Sequence, residues 1–143
     1  MKGKRAAAAI LLLSAQANAD PADWSHLTKF AGTYPAAGLM KSPLVKHEIT
    51  ALLTPNQQAL LSEMSVSPPI SLIGPDLLAQ FCLPHDCGAQ SAALIIDPAA
   101  QTLWFGFYDN HGKTFHTNWS ATADPATIPS AILDQLAKIH SPF

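Results

Sequence analysis

Cys82 and Cys87 are the only cysteines of this 143-residue chain, and just Leu83, Pro84, His85 and Asp86 lie between them. Pro84 within that interval and Gly88 after it disfavour a helix. Proline lacks the backbone donor, and glycine loses the most conformational freedom. A bond between the two sulfurs would close a short loop, displaying a histidine and a carboxylate in a restrained pose. Such an element suits a protruding binding loop better than a cleft.

The N-terminus predicts an oxidising destination. Lys2, Lys4 and Arg5 form a basic start, residues 6–13 are apolar, and Ala17-Asn18-Ala19 supplies the small residues of a cleavage site. This pattern predicts a signal peptide over residues 1–19, cut after Ala19, and a single domain over residues 20–143. The apolar run falls short of the roughly 20 residues that a membrane span needs. No cysteine follows the cleavage point, so no lipid anchor is expected. Export predicts a Cys82–Cys87 disulfide. Chain entropy makes so short a closure worth about 2 kcal/mol. Its larger effect is local, because the loop loses freedom before a partner arrives.

Removing the signal leaves five lysines, ten carboxylates and no arginine, a formal net charge of −5. That argues against nucleic acid, where cationic contacts to phosphate supply most of the affinity, and against an anionic membrane surface. It suits a basic partner, or serves solubility alone.

Turn signals divide the rest into short elements. Trp24, Leu27 and Phe30 have near-helical spacing before the break at Gly32-Thr33-Tyr34-Pro35. Ser42-Pro43 reads as an N-cap and first-turn proline, with Val45, Ile49, Leu52 and Leu53 on one helical face. Thr54-Pro55 repeats the signal, with Leu60, Leu61 and Met64 as a buried side. Strand-like segments follow at 70–73, 77–81, 92–96, 102–108 and 113–119. Gly74-Pro75, Asp97-Pro98 and Asn110-His111-Gly112 serve as turns. After Pro129, the residues Ile132, Leu133, Leu136 and Ile139 mark an amphipathic helix. The expected fold is α+β: a central antiparallel sheet of about five strands, helices packed on one face, and a protruding disulfide-closed loop.

Chemistry at the loop is weighed against alternatives. Redox pairs usually have two intervening residues at a helix start, not four. Zinc needs four convergent ligands, and Cys82, His85, Asp86 and Cys87 cannot easily converge in so short a loop. His85-Asp86 lacks a nucleophile elbow, and no carboxylate pair stands out for glycosidase work. The expectation is a protein that is not an enzyme, with no metal and no cofactor. His26, His47, His111, His116 and His140 are scattered, as expected of surface or turn residues. The aromatics of residues 102–108 and Trp119 are expected in the core.

The hexapeptide Cys82-Leu83-Pro84-His85-Asp86-Cys87 resembles the Cys-Lys-Pro-His-Asp-Cys signature of the Ivy family, inhibitors of vertebrate (c-type) lysozyme. The surroundings are similar too: two helical segments before the loop, Gly88 after it, and a strand meander ending in Asn118-Trp119. The resemblance implies a periplasmic inhibitor whose loop enters the lysozyme cleft, with His85 as the key inhibitory residue facing two catalytic carboxyls. Asp86 matches the adjacent acidic position. Leu83 departs from the signature, where lysine stands; the loss of that charge weakens binding, changes the preferred lysozyme, or matters little if the side chain points away. Lytic transglycosylases are the alternative partner, since they too keep a catalytic carboxyl in a glycan cleft. The chain is expected to act as a monomer or a homodimer.

Overall fold

The computed structural model describes residues 21–109, 116–121 and 124–140. The expected signal segment and the Asn110-His111-Gly112 turn lie outside the described residues. Helix α1, Pro21–Ser25, continues as a 3-10 turn, His26–Phe30, and buries Trp24 and Leu27. Helix α2, Pro43–Leu52, starts where Ser42-Pro43 predicts, but the Ser42 hydroxyl makes no capping bond. Val45 and Ile49 are buried on its inner face. Helix α3, Pro55–Glu63, carries a full capping box. Gln57 N–H donates to Thr54 Oγ1 at 3.3 Å, and Thr54 N–H donates to Gln57 Oε1 at 2.9 Å. Each such bond satisfies an amide that the helix itself leaves orphaned.

Strands β1 (Ser71–Ile73), β2 (Asp76–Cys82), β3 (Gln90–Asp97), β4 (Thr102–Asp109) and β5 (His116–Ala121) form one antiparallel meander in chain order. Four of them, β2 to β5, are six to eight residues long, and β1 adds three residues at the edge. Pro68 and Pro69 have no N–H to offer a ladder. Ile70 spends its backbone elsewhere: its N–H donates to Thr33 O at 2.8 Å, and its carbonyl accepts from Gly32 N–H at 2.8 Å. Gly74, at φ 60°, and Pro75 then turn the chain from Ile73 to its register partner Asp76. A positive φ at the first central residue of a tight hairpin turn favours glycine.

Helices on one face is an expectation that the structure corrects. Leu77, Ala79, Phe81, Ala92, Leu94, Ile96, Leu103, Phe105 and Phe107 face the N-terminal helices in one core. Leu78, Ala93, Ile95 and Trp104 point to the opposite face. There Ile128 and Ile132 cover them, with Leu136 packed alongside. Ile132 and Leu136 belong to helix α4, Ser130–His140. The reason lies in β3 and β4, whose apolar residues do not alternate with polar ones. A strand apolar on both sides needs cover on both sides. The contact runs through 128, 132 and 136, so Leu133, expected to be inward, is 42% exposed. Only the backbone register of Trp119 is described; it lies opposite Gly106.

Candidate functional site

The six-residue loop joins β2 to β3, and each of its limbs is held differently. The first limb ends in Cys82, which is buried, pairs with Ser91 of β3 and bridges Val66 on its other side. The second limb carries Cys87, which is exposed. The predicted disulfide joins them, with Cα atoms 4.8 Å apart. It ties an exposed limb to the buried end of β2. With both sulfurs so joined, neither is a thiolate ligand for zinc or a free redox nucleophile.

Within the loop, backbone bonds set the shape. Leu83 N–H donates to Gln90 O at 3.4 Å, and Asp86 N–H donates back to Leu83 O at 3.1 Å. The Asp86 carbonyl accepts from Ala89 N–H at 3.1 Å and Gln90 N–H at 3.0 Å. Leu83 to Asp86 is therefore a β-turn, with Pro84 and His85 as its central residues. His85 has φ 64°, the left-handed conformation. Proline at the first central position and a positive φ at the second are the marks of a type II turn, whose second position normally takes glycine or asparagine. A histidine there is uncommon and costs on the order of 1 kcal/mol. The disulfide and the ladder bonds hold it in place.

The side chains divide into displayed and hidden. Pro84, His85 and Asp86 are exposed. Among the described residues, neither the His85 imidazole nor the Asp86 carboxylate takes a hydrogen bond or ion pair, so both face solvent. Leu83 instead is half-buried and packs against the core beneath the sheet. The departure from the lysine of the signature thus falls on a position that points inward. It anchors the loop rather than removing charge from its tip. His26 and His47 are exposed on the N-terminal helices, as expected, and take no part in the loop.

Two features were not evident from the residues alone. Val66 braces the loop root, and its only cue was a polar stretch after a helix. Asp76, at the far end of β2, is buried, and among the described residues its Oδ1 has no hydrogen-bond partner. Burial, and then the neighbouring Asp97 carboxylate, push its pKa above the usual range. A Gly-Pro-Asp turn ordinarily predicts an exposed carboxylate. Among the described residues no three metal-ligating side chains come together.

A family model described as inhibitor of vertebrate lysozyme (Ivy) matches residues 44–142, from α2 to the end of the chain. No curated protein and no solved structure matches the chain.

Proposed function

The chain belongs to the Ivy family, inhibitors of vertebrate lysozyme, and from that premise we propose that it inhibits c-type lysozyme by inserting the Cys82–Cys87 loop, led by His85, into the active-site cleft. The observation that carries this reading is the stapled turn, with its histidine held outward at φ 64°. Lysozyme needs one carboxyl protonated as general acid and a second ionised beside it. An imidazole lodged between them donates hydrogen bonds to both and occupies the space of a sugar ring. Charge-assisted bonds in a site with little water are the strong kind. Because the loop is ordered beforehand, little binding free energy goes into ordering it. Asp86 gives the loop an anionic side suited to a basic cleft wall.

Export supports the reading. The protein acts in the periplasm after cleavage behind Ala19, where the disulfide persists and where an incoming lysozyme meets the wall. The formal charge of −5 in residues 20–143 speeds encounter with a basic enzyme. The protein acts by occlusion, without turnover of its own.

The test is lysis of a peptidoglycan suspension by a c-type lysozyme, with and without the protein. Wild type is expected to suppress lysis, and His85→Ala to lose the effect while remaining folded. Equal inhibition by a folded His85→Ala protein would reject loop insertion through His85. A parallel assay with a lytic transglycosylase reports on the alternative target.

A further inference from the structure

The loop tip is too small to form the whole interface. Pro84, His85, Asp86 and Cys87 are its exposed residues before Gly88, whereas a stable complex uses about 800 Å² per partner. A loop that enters a cleft brings the lips of that cleft down on the surface around its root. The surface there has a definite form. A groove of about 660 Å³ opens beside the disulfide, with Cys82 and Cys87 in its wall. Tyr34, the segment Val66 to Pro69 and Gln135 of α4 also line it.

Three properties of the groove indicate what it takes. Among the described residues that line it, none is Asp, Glu, Lys, Arg or His. Two of the chain's large exposed hydrophobic side chains, Tyr34 at 59% and Val66 at 42%, belong to it. The backbone at both is fixed. The chain beside Tyr34 is fastened to the wall by the two bonds between Ile70 and residues 32 and 33, and Val66 by its exchange with Cys82. An exposed tyrosine, with two side-chain torsions to fix, costs little entropy to bury and is a common anchor of binding energy. An uncharged groove discriminates by fit and burial rather than by charge.

We infer that this groove, with Tyr34 and Val66, is a second docking surface for the same lysozyme, receiving uncharged side chains from the lip of the cleft that the loop enters. This rests on the loop-insertion reading and names the surface that reading leaves open. The loop contributes the charged contacts, and the groove contributes residence time.

The test is binding kinetics of the purified protein on an immobilised c-type lysozyme at two salt concentrations. The variants are Tyr34→Ala, Tyr34→Phe, Val66→Thr and His85→Ala. Leu72→Ala is the control, being 54% exposed but outside the groove lining. Tyr34→Ala is expected to raise Kd about 10- to 100-fold, through koff and equally at both salts. Tyr34→Phe is expected to keep most of the affinity, Val66→Thr to lose about tenfold, and Leu72→Ala to match wild type. If wild type and Tyr34→Ala bind alike while His85→Ala does not, the groove assignment is overturned and loop insertion stands. If wild type itself does not bind, both are overturned.

Discussion

Val66 and Cys82 exchange two backbone hydrogen bonds, Val66 N–H to Cys82 O at 3.2 Å and Cys82 N–H to Val66 O at 2.8 Å. Cys82 therefore spends both of its backbone groups on Val66, with Ser91 of β3 as its register partner on the other side. Among the described residues Cys87 makes no backbone hydrogen bond, and the disulfide holds it. Opening the disulfide therefore loosens the loop at Cys87, while Cys82 stays paired with Val66 and the Leu83–Asp86 turn keeps its backbone bonds.

Cys82→Ala with Cys87→Ala is accordingly expected to cost about 2 kcal/mol of stability and to weaken inhibition at least tenfold. Urea unfolding and lysis assays on the same preparation measure the two effects. Full potency in the double variant would mean that the loop does not need to be preorganised.

The left-handed conformation of His85 separates its side chain from its turn. His85→Gly suits φ 64° better than His85→Ala does, so the glycine variant is expected to be at least as stable. Both are expected to lose inhibition by about 100-fold or more, the scale of a central binding residue. Retained potency in His85→Gly would assign the effect to turn shape instead of the imidazole.

Leu83 is a positioning residue, because it packs inward and does not reach the loop tip. Leu83→Ala is expected to cost about 1–2 kcal/mol and to weaken inhibition, while Leu83→Met restores both. Leu83→Lys keeps part of the contact through its methylene stem as the ammonium reaches water. Thermal unfolding and inhibition constants across these three variants check the ordering.

Asp76 makes stability depend on pH in a defined direction. Its pKa in the folded state is raised, by burial first and by Asp97 second. The native state therefore binds this proton more tightly than the unfolded chain does, and the Asp76 contribution to stability falls as pH rises from the ordinary carboxylate range through the raised folded-state value. Asp76→Asn is expected to flatten that dependence and to add about 1 kcal/mol at neutral pH. Urea midpoints measured from pH 4 to pH 8 would reveal it.

The second core predicts unequal costs within one helix. Ile132 is fully buried against the sheet, and Leu133 is 42% exposed. Ile132→Ala is expected to cost about 2–5 kcal/mol and Leu133→Ala under about 1 kcal/mol. Equal losses in chemical denaturation would place the helix in a different rotation.

Much of this was legible along the chain. Thr54-Pro55 marked a helix start because capping is local, and Gln57 lies just where the Thr54 box requires it. Gly74-Pro75 marked a turn because few residues adopt its dihedrals. The cysteine pair and Pro84 marked the loop because closure over four residues admits few shapes. Leu133 and the sheet faces were misjudged. An apolar residue on a helix or strand declares that it seeks cover, but not which surface supplies it.

The sequence by itself determined the order of elements, the stapled turn and the residues it displays. Each depends on interactions within a few positions. Only the tertiary structure decided that Leu83 turns inward, that α4 covers a second face, and that Val66 and Tyr34 flank the loop root. Val66 meets Cys82, and Thr33 beside Tyr34 meets Ile70, across spans that local propensity does not encode. Those pairings form when the sheet buries its apolar faces, and burial depends on the whole chain at once.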